Sequence, residues 1–321
     1  MAQASGVDPN GTPMTAWPAP RIRPDLYPGP APDFPHLLVR DRVYPLHVQF
    51  AADGLRLTVG DGTPVDSVLR RLGVASLRER IPTIGYGANR SPHSLALKFS
   101  HHGRGEPVVP VFAGSLSDVD VVAAGLSSQG FVFADIVDSP GTRVDVLLAL
   151  LDPEQLVAVH DSEGVGKVYD CAWLPGIAVV GTEGTLGGLA YVGRRGLFAD
   201  PDGHPLAFSA ITARSRRFPA LSQVEMMARV IEVTGLGEQL SQLLHTEPGA
   251  VAQDLIRLLN GQWWYRHNTG DAPLGIAEEA HRTLADAMAR HRIERPASSP
   301  LIATVLTRDE AYAPQAFFEE K

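Results

Sequence analysis

What most restricts this chain is a change of hydrophobic period about two thirds of the way along it. From Val108 to Gly193 short apolar runs recur, among them VVPVFAGSL, VDVVAAGL, FVFADIV, VDVLLALL, VYDCAWLPGIAVV and LGGLAYVG, separated by Gly, Ser and Pro. Runs of this kind, bounded by turn formers, read as strands. After about Phe218 the period becomes 3.6: ALSQVEMMARVIEVTGL, GAVAQDLIRLLNGQWWYR and IAEEAHRTLADAMARHRI each gather apolar residues on one helical face. With 31 glycines and 26 prolines in 321 residues, loops are plentiful and helix does not dominate, so the expected class is α+β.

Nine of the prolines precede residue 36, in a segment without apolar periodicity. Each fixes φ and removes a donor, so the segment reads as an extended arm or a disordered tail. Trp17, Leu26, Tyr27 and Phe34 could anchor it if it wraps onto the body. Next, VYPLHVQF and LRLTV flank AADG as two strands and a turn. A helix started by Pro64 carries Val65, Val68, Leu69 and Leu72 and stops at Gly73. A strand over 81–86 enters a glycine turn, after which Ser91 and Pro92 read as the cap and first residue of a helix to about Phe99. PEQLVAVHDSEG reads as a short helix begun by Pro153.

Several classes fall away. The net charge of −8 disfavours a nucleic-acid partner, whose affinity draws on clustered Lys and Arg; the cluster Arg214, Arg216, Arg217 reads as a solvated face. A single cysteine, Cys171, supports neither an intramolecular disulfide nor a Cys-rich zinc site and reads as a packed thiol. The longest apolar candidate, 144–159, carries Asp145, Asp152 and Glu154, so no membrane span is expected. The N-terminus lacks a basic region followed by an apolar one, which makes a cytoplasmic location the expectation. Gly85-Tyr86-Gly87 lacks the third glycine of a dinucleotide fingerprint, Arg90 standing there, and 181–188 lacks a Walker ending. Ser115 misses the second glycine of a nucleophile elbow. His101 and His102 are adjacent and diverge on either a strand or a helix, so they read as loop surface rather than a metal pair. Trp263, Trp264 and Tyr265 read as core beside Leu255, Leu258 and Leu259.

Two signals carry chemistry. Tyr86-Gly87-Ala88-Asn89 lies at a strand-to-helix turn, where backbone N–H groups without intrahelical partners could hold a carboxylate or developing oxyanion; equally, the glycines could serve a sharp turn and Asn89 a cap. His160-Asp161-Ser162-Glu163-Gly164 ends the short helix, and Glu163 could be a general base at the rim of a pocket or a solvated carboxylate.

Joined, these signals resemble the γ-glutamylcyclotransferase-like superfamily. Its members carry Y-G-S-N after the first strand, matched here by Tyr86, Gly87, Ala88 and Asn89; an S-P-G-x-x-V turn, matched by Ser139, Pro140, Gly141 and Val144; and a helix begun by Pro-Glu with an acidic ending, matched by Pro153, Glu154, Leu156, Glu163 and Gly164. Tyr169 is similar to the tyrosine that members place at the start of the next strand. The resemblance spans about residues 81–192. Ala88 stands where serine is usual and His160 where aspartate is common.

The resemblance implies a small mixed β-barrel for the central part; with the proline-rich start and the 3.6-period end read from the residues, the expected division is a Pro-rich arm over 1–36, an α+β barrel domain over 37–214 and an α-helical C-terminal region over 215–321. The resemblance further implies that Glu163 removes a proton from the substrate's own α-amino group, which attacks the γ-carbonyl and closes 5-oxoproline. Backbone N–H groups of Gly87, Ala88 and Asn89 would form the cradle, Tyr86 and Tyr169 would contact substrate, and no metal or organic cofactor would be needed. The partner is then a small-molecule substrate, a γ-glutamyl amine or peptide. Two other functions fit the same site: amide hydrolysis or acyl transfer, and non-catalytic binding of a small molecule.

Overall fold

The computed structural model describes residues 11–51, 54–60, 62–269 and 275–312, the side chains of 264–269 and 303 excepted. In chain order β1 (Thr12–Pro13) leads to β2 (His36–Val39), β3 (Arg42–Ala51), β4 (Gly54–Val59) and α1 (Val65–Leu72). Then come β5 (Ile81–Gly85), α2 (Pro92–His102), β6 (Val108–Leu126), β7 (Val132–Leu151), α3 (Pro153–Glu163), β8 (Tyr169–Val179) and β9 (Thr185–Gly193). Four two-residue strands follow, β10 (Leu197–Phe198), β11 (Ala207–Phe208), β12 (Ala213–Arg214) and β13 (Ala220–Leu221). Helices α4 (Gln223–Thr234), α5 (Gly237–Leu244), α6 (Val251–Thr269) and α7 (Ile276–Arg290), strand β14 (Arg292–Ile293) and short helices α8 (Pro300–Ala303) and α9 (Arg308–Tyr312) complete the described chain.

Five strands close on themselves. β6 pairs with β8, β8 with β9, β9 with β5, β5 with β7, and β7 returns to β6. The β5–β9 pairing is parallel and the others antiparallel, so the barrel is small and mixed, and the class is α+β with a helical C-terminal extension. The four apolar runs between Val108 and Leu151 are two long strands, not four short ones. The pairing of β6 with β7 runs from Val111↔Ala149 to Leu126↔Val132 and breaks register between Ser117 and Val119. At that break Asp118 has φ +63°, and its carboxylate accepts the N–H of Gly141 at 2.8 Å. Ser139-Pro140-Gly141 therefore lies within β7 as half of an irregular crossing, rather than as a turn between strands.

Local chemistry fixes the helix ends. Gly73 and Gly103 adopt the left-handed conformation after α1 and α2. Ser91 caps α2 by accepting the N–H of Ser94 at 3.2 Å, while Asp152 and Gln155 cap α3 reciprocally. α2 runs on to His102, so His101 and His102 belong to its last turn and not to a loop. One apolar core joins barrel residues such as Ile84, Phe112 and Ile136 to Met226, Leu255 and Leu284 of the C-terminal helices. A second packs Leu95 and Phe99 of α2 and Leu156 and Val159 of α3 against Leu151 and Val109. No described helix is long and apolar enough to cross a membrane.

The arm lies on the body. β1 pairs with β3, Ser91 Oγ donates to Trp17 O at 2.8 Å, and Tyr27 is buried in the main core. Trp17 and Phe34 meet edge to face at 6.2 Å, whereas Leu26 is 39% exposed and belongs to none of the apolar clusters among the described residues. The basic cluster divides: Arg214 and Arg217 are exposed, but Arg216 forms a two-pronged pair with the fully buried Asp120 and so is no solvated residue. Cys171 is buried, which pushes its thiol up to about 12 and leaves it protonated. Trp263 is half-buried with the Arg21 guanidinium over its ring; the side chains of Trp264 and Tyr265 lie outside those described, as do Ala52 and Asp53 of the β3–β4 turn.

A pH dependence arises here. His36, buried on β2, donates from Nδ1 to Phe34 O at 3.1 Å, and burial lowers its imidazole to about 4. A depressed imidazole contributes stability that is present above the unfolded-state value and lost as pH falls toward the folded one. Between pH 6.5 and 4 we expect His36 to remove about 3 kcal/mol from the unfolding free energy. Urea denaturation across that range checks this. The slope should flatten in His36→Gln, and an unchanged slope would contradict the assignment.

Candidate active site

β5 delivers the chain to the site and glycines let it turn. A Cβ on Gly85 would meet Asn89 O at 3.0 Å, and one on Gly87 would meet Tyr27 Oη at 2.8 Å. The turn over Ala88–Arg90 is a single 3₁₀ segment, whose leading N–H groups have no acceptor within it. From the other side α3 brings Glu163 as its last residue, because Gly164 with φ +64° ends the helix there.

These two pieces line one cavity of about 460 Å³. Tyr86, Gly87, Ala88, Asn89, Glu163 and Tyr169 all face it, so every residue of the sequence-derived set lies on a common wall system. Glu163 Oε1 accepts from Asn89 Nδ2 at 3.0 Å and from Lys98 Nζ of α2. Both charged side chains are largely buried, at 18% and 11% exposure, so the ion pair is held in one place rather than waving in solvent. Asn89 thus reaches the carboxylate with its side chain rather than capping a helix. Its Oδ1 is buried without a hydrogen-bond partner among the described residues.

Part of the wall is aromatic and neutral. Tyr86 donates its hydroxyl to Tyr191 O, and Tyr169 donates to Ala134 O at 3.0 Å. Burial raises both phenols well above their ordinary value, so neither supplies a phenolate. Tyr27 stacks on Phe131 at 4.6 Å, and its hydroxyl accepts the N–H of Ala134 at 2.8 Å. In Tyr27→Phe that buried N–H of β7 loses its acceptor while the ring stack remains, and a loss of 1–3 kcal/mol, about 2, is expected in urea unfolding. A change below a few tenths would mean that the bond contributes nothing.

His160 lies behind the wall. Its Nδ1 is 2.9 Å from Tyr191 Oη and its Nε2 2.9 Å from Ala311 O, so a neutral ring accepting at Nδ1 and donating at Nε2 satisfies both. Burial lowers its pKa, in keeping with that neutral form. Sequence reasoning missed Lys98, Tyr27, Arg21 and Tyr191. Lys98 had a readable signal, three residues after Leu95 and next to Phe99 on the buried side of α2. The others come from distant segments that only tertiary packing brings in.

Metal-type side chains gather elsewhere. Asp200, Asp202 and His204 bring ligand atoms within 4.8 Å of one another, but Asp200 Oδ1 already accepts the N–H groups of Asp202 and His204, closing a surface turn on itself.

Comparison with known proteins adds the following. No family model matches the chain, and no curated protein matches it. Among solved structures it is similar to an uncharacterized protein from Homo sapiens at 20% identity over 36% of this chain, with a TM-score of 0.29. It is similar to a structure described as gamma-glutamyl cyclotransferase at 21% identity over 36%, again with a TM-score of 0.29. YkqA from Bacillus subtilis is 13% identical over 67% of this chain and 70% of its own, with a TM-score of 0.28. The chain spans 66% of the length of each of the first two. The closed barrel described above stands on its own strand pairings.

Proposed function

We propose that this chain is a cofactor-independent, cytoplasmic cyclotransferase that releases 5-oxoproline from a γ-glutamyl amine or peptide by intramolecular aminolysis. The observation that carries the reading is the placement of Glu163, fixed by Asn89 and Lys98, in the same cavity as the Tyr86–Asn89 turn.

The chemistry follows from what such a cavity offers. The substrate's α-amino group is already tethered to the γ-carbonyl it attacks, so the enzyme has only to fold the substrate, move one proton and stabilise one oxyanion. Glu163 takes the proton from the α-amine as the new C–N bond forms. The carbonyl oxygen becomes an oxyanion, which the N–H groups of Gly87, Ala88 and Asn89 receive in this reading; Ala88 in place of serine removes a hydroxyl but no N–H. The old C–N bond then breaks, and Glu163 returns the proton to the leaving nitrogen. Neutral Tyr86 and Tyr169 hold a dry wall beside the substrate. In this reading the region 37–214 carries the chemistry, Pro20, Arg21 and Tyr27 of the arm complete the cavity, and α6 holds the arm through Asn260 and Trp263.

The test is product identity. Incubation with γ-glutamyl-alanine and γ-glutamyl-ethylamine, followed by chromatography, should give 5-oxoproline plus the amine. Free glutamate would indicate hydrolysis on the same site, and no turnover of any γ-glutamyl amide would indicate a binding protein.

A further inference from the structure

Arg21 belongs to the Pro-rich arm, yet its side chain lines the cavity that holds Glu163. Burial lowers its pKa, and among the described residues no carboxylate pairs with it, whereas Arg23 two residues on is paired with Asp25. The other cation of this cavity, Lys98, is taken by Glu163. His93 on α2 is buried, and that burial and Arg21 itself lower its pKa, so it adds no second positive charge beside Arg21.

The guanidinium is nonetheless held in place. It lies over the Trp263 ring at 5.5 Å, and Asn260 Nδ2 donates to Arg21 O at 2.9 Å while reaching Gln129 O at 3.4 Å. Two residues of α6 thus fix the arm, the side chain and the hairpin over 127–129 together, and Ser127, Ser128 and Gln129 line the same cavity. A partly desolvated cation positioned this way, with its forked donors unmatched among the described residues, is arranged for an anion that arrives with the ligand.

Resting on the cyclotransferase reading, we infer that Arg21 forms an anion subsite selecting ligands that carry a carboxylate beyond the glutamyl portion. The glutamyl α-carbon has to sit beside Glu163 for its amine to be deprotonated. Arg21 lines the same cavity without pairing with Glu163, and the subsite inferred for it takes the carboxylate of the departing half.

Glutaryl-alanine and glutaryl-ethylamide test this without turnover. Neither has an α-amine, so neither can cyclise, and the result stands whether or not 5-oxoproline is ever formed. They share the glutaryl carboxylate and differ in the second one. Calorimetric titration of the full chain should show glutaryl-alanine binding about tenfold or more tightly than glutaryl-ethylamide, the range of one charge-assisted contact. Arg21→Met, which keeps the stem over Trp263, should erase the preference, and Arg21→Lys should restore part of it, with circular dichroism confirming that both variants fold. A preference that survives in Arg21→Met overturns the inference. So does equal weakening of both ligands, which would assign Arg21 to the glutaryl carboxylate, or failure of wild-type protein to bind either one.

Discussion

Replacing Glu163 by glutamine should lower 5-oxoproline formation by about 10² or more while leaving the fold intact, if Glu163 is the proton carrier. The substitution keeps the shape of the side chain and an oxygen that can still accept from Asn89 Nδ2 and Lys98 Nζ, so the cavity wall persists. What it removes is the ability to take a proton from an amine and return it to the leaving nitrogen. The effect should fall on kcat, since the side chain's task arises in the transition state rather than in binding. Steady-state kinetics with γ-glutamyl-alanine, beside circular dichroism that shows the variant folded at the assay temperature, separates this outcome from simple unfolding, since removing the charge opposite Lys98 lowers stability. Undiminished kcat would take Glu163 out of the mechanism.

The second large effect concerns the frame of the cavity. Asp135 of β7 is fully buried; its carboxylate accepts the N–H groups of Gly193 at 2.9 Å and Ile136 at 2.8 Å and pairs with Arg295 at 3.0 Å. Burial raises its pKa, and Arg295 opposes that rise. Arg295→Met would leave the charge unpaired in the interior, for which the expected loss is about 3–5 kcal/mol. The sign with pH is the reverse of that for His36. A carboxyl whose folded pKa lies above its unfolded one contributes stability when protonated and loses it as pH rises, so the Arg295→Met deficit should shrink in acid. Urea unfolding at pH 7 and pH 5 reads both points. Asp135→Asn combined with Arg295→Met should recover part of the loss, and a single-variant loss under about 1 kcal/mol would show that the pair is not what holds this junction. The consequence for function is local, because Ala134, the residue before Asp135, bonds both Tyr27 and Tyr169 in the cavity wall.

Much of this was legible from residue patterns because the signals were local. Pro64 and Gly73 bound α1, Ser91-Pro92 starts α2, and Pro153 and Gly164 bound α3, each through a cap or a φ preference that acts within a few residues. The strand content was legible too, but not its continuity. Asp118 and Pro140-Gly141 carry the marks of turns, yet the paired partner strand overrides them and absorbs them as one irregular crossing. Arg216 looked like surface because sequence shows its charged neighbours, not the buried Asp120 that lies 96 residues away in the chain.

The site divides in the same way. Tyr86–Asn89 and Glu163 stand out because glycines and helix ends flag them locally. Tyr27 and Arg21 come from an arm whose prolines suggest only extension, and nothing in its pattern says which of its side chains turn inward. Their places are set by Asn260, Phe131 and Ala134, all far along the chain.

In the proposed reaction the substrate's own amine, not water, attacks the γ-carbonyl. Running it with γ-glutamyl-alanine in H₂¹⁸O and weighing the products distinguishes the two nucleophiles. Intramolecular aminolysis predicts 5-oxoproline with no solvent oxygen, its carbonyl oxygen being the one the substrate brought. Glutamate bearing ¹⁸O in its γ-carboxylate would mean that water is the nucleophile, and would contradict the mechanism proposed for Glu163 and the Tyr86–Asn89 cradle.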